Sequence, residues 1–179
     1  NERVVGQLGG FMSVALLQSR GRKQFDLFTP PEIGTALWYP GLPGAGNLIY
    51  DRSLYGNHGT ITGATWVFQN GIWVLNFDGT DDYVTIGTSP KPLSVSNSIS
   101  VECWMMPSAF VDYQIVIGRG QVGADLKGDV QLRIDASTYM NWQFYKDAVP
   151  AGWQEVSAND VVMVADKWYH LVGTFDAAI

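Results

Sequence analysis

Cysteine is all but missing from this chain. Cys103 is the single one among 179 residues, so no intrachain disulfide can form. A domain without bridges is held by its core and its strand ladders, or by a metal. Long apolar runs are missing too. The stretch from Val4 to Leu17 is broken by Gln7, Gly9, Gly10 and Ser13 and is too short to span a bilayer. Its basic cluster, Arg20-Gly21-Arg22-Lys23, follows the apolar part, the reverse of a signal peptide. Positive charge is scarce, with 11 Lys and Arg against 17 Asp and Glu, a net of -6. Residues 1–36 hold Arg3, Arg20, Arg22 and Lys23 against Glu2, Asp26 and Glu32, a net of +1, which leaves -7 on the remainder. Such an acidic body disfavours nucleic acid and leaves cations and neutral glycans as partners. No G-x-S-x-G, HExxH or CxxC motif occurs, and no catalytic residue is assigned.

What is present is β-forming. Hydrophobic residues make up 46% of the chain and aromatic residues 13%, the latter suited to strands and sandwich cores. From Leu37 onward, runs of Val, Ile, Trp, Tyr and Thr alternate with Gly, Pro, Asn and Asp clusters. Strands are predicted over 73–77, 83–86, 99–106, 113–117, 130–134, 140–145 and 169–175. Asp78-Gly79 and Pro107 stop two of them. No segment holds a helical period for three turns. This spacing predicts an all-β fold, a two-sheet antiparallel jelly-roll sandwich over 37–179, with Phe77, Trp104, Trp168 and Phe175 in its core.

Residues 1–36 read as an N-terminal extended arm. Thr29-Pro30-Pro31-Glu32 stops any regular element, and no clean period appears before it. Val4, Val5, Phe11, Val14, Leu16 and Leu17 are a large apolar surface for a solvated tail. The expectation is self-association, or docking on other structural subunits, through this arm.

Four segments carry a family likeness. They are Leu37-Trp38-Tyr39; Asp51 to Thr60, with Asn57-His58-Gly59; Leu75 to Val84, with Phe77-Asp78-Gly79 and Asp81-Asp82-Tyr83-Val84; and Trp168 to Asp176, with Thr174-Phe175-Asp176. Ser98 to Pro107 fits between them, with Cys103 and Met105-Met106 as its variations. Together they resemble the laminin-G-like, concanavalin A-like lectin/glucanase jelly roll. Two departures stand out. Pro40-Gly41-Leu42-Pro43-Gly44 occupies the place of an acidic pair, and the family continues into further strands after Thr174-Phe175-Asp176. The Pro/Gly-rich version is similar to bacteriophage and environmental viral surface proteins. The absence of disulfides and Asn-x-Ser/Thr sequons points the same way. The resemblance implies a surface structural or recognition module on a virion or at the cell surface.

The resemblance also implies that Asp51, Asn57 and Asp176 supply oxygen ligands to a structural Ca2+. Read as residues alone, Asp51 and Asn57 serve equally as Asx turns. Asp78, Asp81 and Asp82 read as turn residues, with Asp82 capping loop amides. His58 and His170 read as hydrogen-bonded core residues, and Cys103 as an inert core thiol. Tyr139, Trp142, Tyr145 and Trp153 lie on or near the middle strands and the long loop 146–160, where aromatic faces stack on sugar rings or pack in the core. Glu102 and Glu155 raise glycoside hydrolysis, which needs two acids about 5–10 Å apart. The E-x-D-x-x-E run of related hydrolases is absent.

Overall fold

The computed structural model describes residues 3–4, 9–16, 35–43, 46–87, 99–111, 114–119, 130–135, 137–146 and 152–175; for 3–4, 9–16, 145–146 and 152–153 it describes the backbone alone. These residues form β1 (Arg3–Val4), β2 (Gly9–Leu16), β3 (Leu37–Trp38), β4 (Leu48–Ile49), β5 (Gly59–Thr62), β6 (Thr65–Gln69) and β7 (Ile72–Asp78). There follow β8 (Tyr83–Thr85), β9 (Ile99–Pro107), β10 (Gln114–Arg119), β11 (Val130–Ile134), β12 (Met140–Lys146), β13 (Gly152–Ser157) and β14 (Tyr169–Phe175). Every pairing among them is antiparallel. Among the described residues no helix is long and apolar enough to cross a membrane.

The strands make a six-stranded sheet, β14-β9-β2-β7-β6 with β3 beside β2, and two four-stranded sheets, β1-β8-β5-β4 and β10-β11-β12-β13. Period-two patterning decides which side chains face the core. On β9, Ile99, Val101, Cys103 and Met105 are buried, while Ser100, Glu102, Trp104 and Met106 point away. On β11, Val130, Leu132 and Ile134 are buried. These residues join Phe77, Trp142 and Leu171 in one core that takes residues from all three sheets. The six-stranded sheet and the β10–β13 sheet approach closely at Gly173 on β14, where an added Cβ would lie 2.4 Å from Trp142 Cε3. A residue larger than glycine would displace the indole. The β6–β7 hairpin turns through Asn70 and Gly71, with φ of 52° and 87°, the backbone of a type I′ turn.

Several expectations are corrected. Residues 9–16, read as part of an arm bound for a neighbouring chain, form β2 inside the sheet: Phe11 pairs with both Asn76 and Met106. The reason is physical. The backbone partners of this strand, β7 and β9, lie more than fifty residues away in sequence, and the local pattern of Gly9, Gly10 and Ser13 among apolar residues does not announce that long-range pairing. Arg20, Arg22, Lys23 and Pro30-Pro31 lie outside the described residues. The loop expected over 146–160 contains β13, whose side chains are mostly polar, and β6 was not anticipated.

Of the four expected core aromatics, Phe77 is buried, and Trp168 and Phe175 are half-buried, Phe175 against Phe144 at 4.6 Å between ring centroids. Trp104 is 43% exposed on the outer face of β9. His170, expected in the core, is exposed on β14. His58 is also exposed, though hydrogen-bonded: its Nδ1 accepts the Asp51 N–H at 3.1 Å.

Candidate functional site

Three places gather the chemistry. The first is the loop between β4 and β5. Asp51 is buried and accepts from Trp38 N–H (2.8 Å) and Ser53 N–H (2.9 Å) on Oδ1. On Oδ2 it accepts from the Ser53 hydroxyl (2.5 Å) and Asn57 N–H (2.8 Å). Asn57 in turn donates from Nδ2 to the Ala36 carbonyl (2.7 Å), and its own carbonyl takes the Tyr39 hydroxyl (2.8 Å). Burial, then the Asp51 charge, push the Tyr39 phenol far above its ordinary range. Gly59 completes the packing. A Cβ there would lie 2.6 Å from Val84 and 2.8 Å from the Tyr39 hydroxyl. The structure thus joins Asp51 and Asn57 to each other, with both carboxylate oxygens turned toward donors. Asp176, the third residue of the expected Ca2+ set, lies outside the described residues.

The second place is the turn between β7 and β8. Asp78, Asp81 and Asp82 bring one ligand atom each within 4.8 Å of the others, a carboxylate cluster able to hold a metal ion. Asp82 is buried and its Oδ2 accepts the Asp78 N–H at 2.7 Å, the loop-amide cap expected of it. Asp78 Oδ1 accepts from Thr80 N–H at 2.7 Å, closing an Asx turn. Asp78 and Asp81 are exposed.

The third place is the outer face of β11, β12 and β13. Antiparallel register stacks Arg133 beside Asn141 and Ser157, and Gln131 beside Gln143 and Glu155. Arg133 Nη2 sits 3.0 Å from Glu155 Oε2, which also accepts from Gln143 Nε2. The Ser157 hydroxyl lies 2.9 Å from Glu155 Oε1 and within hydrogen-bond reach of Asn141 Oδ1. Asn141 Nδ2 donates to Asp135 Oδ2 at 3.1 Å. Asp135 Oδ1 accepts the Ser137 and Tyr139 N–H groups, forming the β11–β12 turn. The same register places Tyr145 opposite Trp153, on this face, at the other end of β12.

The four expected sugar-stacking aromatics therefore divide. Tyr139 stands half-buried at one end of the polar row, and Tyr145 and Trp153 hold register positions at the other end. Trp142 belongs to the core. It is buried against Gly173 because its β12 position has the parity that faces the opposite sheet. Sequence reasoning missed Arg133, Asn141, Gln143 and Ser157. The available signal was Arg133 and Gln131 alternating with Val130, Leu132 and Ile134, a strand with one wet face.

Electrostatics on this face hold negative charge in place. Burial pushes Glu155 up, but hydrogen bonds from Gln143 and Ser157 and the Arg133 guanidinium outweigh it and hold the carboxyl below its ordinary value. Asp135 follows the same pattern: burial opposes, and hydrogen bonds from Asn141, Tyr139 and Ser137 prevail. Glu102 behaves oppositely. Burial raises it, against the pull of His170. A proton donor and a base for one glycosidic bond need separated values such as these, within about 10 Å of each other. Here Glu102 stands on the outer face of the six-stranded sheet, and Glu155 on the outer face of β10–β13, with the core between them. Cys103 faces that core, its thiol pushed far up by burial first and then by Glu102.

No curated protein and no solved structure matches the chain at a significant level. Residues 78–179, more than half of it, match the family described as the concanavalin A-like lectin/glucanases superfamily, laminin-G type. They run from the carboxylate turn through the polar row to β14. With antiparallel sheets packed around one core, the chain belongs to the concanavalin A-like lectin/glucanase superfamily.

Proposed function

We propose that this protein is a non-catalytic recognition module that binds neutral glycans on the outer face of β11–β13. The observation that carries the reading is the hydrogen-bonded row of Arg133, Asn141, Gln143, Glu155 and Ser157, flanked by the Tyr145 and Trp153 register positions. Asn141 and Gln143 are buried and hold exposed Glu155 and half-buried Ser157 in place, so the carboxylate, hydroxyl and Arg133 guanidinium meet sugar hydroxyls at little further entropic cost. The register positions of Tyr145 and Trp153 put two aromatic residue types at the end of the row, the kind that stacks on a pyranose ring. Two observations favour binding over hydrolysis. Both carboxylates of the row are held below the ordinary range, so neither serves as a proton donor near neutral pH. The one carboxyl that is pushed up, Glu102, lies on the other outer face.

The family includes both lectins and glucanases by name, and the geometry favours the lectin side. We place the module on a virion or cell surface, the setting that the Pro40–Gly44 version of the fold resembles. The exposed carboxylates of Asp78 and Asp81, with buried Asp82 beside them, are its proposed place for Ca2+, a hard cation that takes oxygen ligands.

A glycan array of neutral oligosaccharides tests the reading. The expected result is binding without sugar release, weakened at least tenfold, or about 1.4 kcal/mol, by Trp153→Ala or Glu155→Ala. Silence across the array, or reducing ends appearing with time, overturns it.

A further inference from the structure

The six-stranded sheet carries an exposed cluster that this function does not use. Trp104 occupies an interior strand, with β14 on one side and β2 on the other, yet its side chain is 43% exposed. The ring is held in place. His170 sits directly across on β14, and the two rings stack with centroids 4.7 Å apart at 15°. His170 Nε2 lies 3.5 Å from Glu102 Oε2, one step along β9 on the same face. On the other flank, register puts Ser13 opposite Trp104 and Ala15 opposite Glu102. Both are residue types too small to cover an indole.

We infer that Trp104, His170 and Glu102 form a second glycan-contact site on the outer face opposite the first, making the module bivalent. The inference rests on the glycan reading of the first face. Its chemistry is that of a sugar platform. A rigid indole offers a flat apolar surface, the neighbouring carboxylate accepts hydroxyl hydrogen bonds, and the imidazole fixes the ring before the ligand arrives. Two alternatives fit less well. Trp104 and half-buried Met106 are the apolar groups of β9 on this face, while Val172 stands opposite Glu102 and between His170 and Thr174, so charged and polar groups break the apolar area that the centre of a protein interface needs. A carboxylate at the centre repels phosphate or acidic ligands. Bivalence would let one module bridge two strands of a polysaccharide, with affinity for a repeating glycan above that of either site.

The test is calorimetric stoichiometry on the full chain. The probes are neutral hexasaccharides of glucose, galactose, mannose and N-acetylglucosamine. The expected wild-type value is two sites per chain for at least one probe. Trp104→Ala and Trp153→Ala should each leave one site, and the double variant none. His170→Ala, which keeps the indole but frees it, should weaken the second site about tenfold. Melting curves establish that each variant is folded, and Glu102→Gln serves in place of Trp104→Ala if that variant is not. One site per chain, insensitive to Trp104, Glu102 and His170, overturns the inference and leaves the first face standing. No heat with any probe overturns both. A change in sedimentation on Trp104→Ala with two sites retained shows a protein interface and overturns the inference.

Discussion

Two acidic turns sit at the same end of the sequence likeness and do opposite things. In the β4–β5 loop, the Asp51 carboxylate faces four donors, three backbone N–H groups and a hydroxyl, and is buried. In the β7–β8 turn, three carboxylates converge, and two of them are exposed. The first is an anion enclosed by the chain's own dipoles, a device for building a loop. The second places one N–H on Asp78 and one on Asp82, against four donors on Asp51 alone, and gathers oxygens of three carboxylates within 4.8 Å, an arrangement that a cation relieves. A count of acidic residues cannot separate the two cases. The direction of the surrounding N–H groups does.

The largest test of that contrast is removal of Asp51. Asp51→Ala strands the N–H groups of buried Trp38 and Asn57 and of half-buried Ser53, and each orphaned buried donor costs about 1–3 kcal/mol. A loss of about 3–5 kcal/mol is expected in urea unfolding, against less than about 0.5 kcal/mol for Asp81→Asn at an exposed position. Equal costs would erase the distinction between the two turns.

A finer test uses two glycines. Gly56, in the first loop, has φ +65° with open space where a Cβ would stand. Gly63, with φ +76°, would place a Cβ 1.7 Å from Asp82 Oδ1. Alanine at either site meets the left-handed penalty of about 1–2 kcal/mol. Only Gly63→Ala also displaces the Asp82 cap, so its cost should exceed that of Gly56→Ala by about 1–2 kcal/mol. Matching melting temperatures for the two variants would show that Asp82 yields freely and caps nothing of consequence.

The Asp51 loop and the strands around it were legible in the sequence because their signals are local. Asn57-His58-Gly59 and Asp78-Gly79 are turn chemistry, and Ile99 to Met106 alternate visibly. Two kinds of information were not local. Gly9–Leu16 is a strand through pairing with β7 and β9, partners far away in sequence that its own residue pattern does not reveal. The polar row is a product of register. Arg133, Asn141 and Ser157 are far apart in sequence and become neighbours through two antiparallel pairings. Trp104 misleads for the opposite reason. Tryptophan in an alternating strand suggests core, yet parity with Glu102 and Met106 puts it on the wet face.

Calcium sharpens the contrast at smaller amplitude. Extracellular Ca2+ sites have Kd values of about 0.1–1 mM, and a tenfold excess over such a Kd stabilises by about 1.4 kcal/mol. Millimolar Ca2+ should therefore raise the melting temperature by about 3–5 °C for a chain of this size. Excess chelator should reverse the rise, and Asp81→Asn should abolish it. An unchanged melting temperature in wild type would mean that the β7–β8 turn is only a turn.

The smallest effect is expected from a third acidic place, the Glu155–Asp135 row, which is neither enclosed like Asp51 nor open like Asp81. Hydrogen bonds and Arg133 hold both carboxyls below their unfolded values despite partial burial. A depressed folded pKa contributes stability that is fully present above the unfolded value of about 4 and is lost as pH falls through the folded one. The row's contribution should therefore be complete at neutral pH and down to about pH 5, and fade below about pH 4. The amplitude should be modest, because both groups are solvent-screened. Glu155→Gln keeps the shape of the side chain and removes the charge. The stability gap between wild type and Glu155→Gln, measured by urea midpoints from pH 6 to pH 3, should close as the pH drops. A gap that stays constant over that range would mean that the carboxylate of Glu155 is not stabilised by the row, and that the row is held by Arg133 and the amides alone.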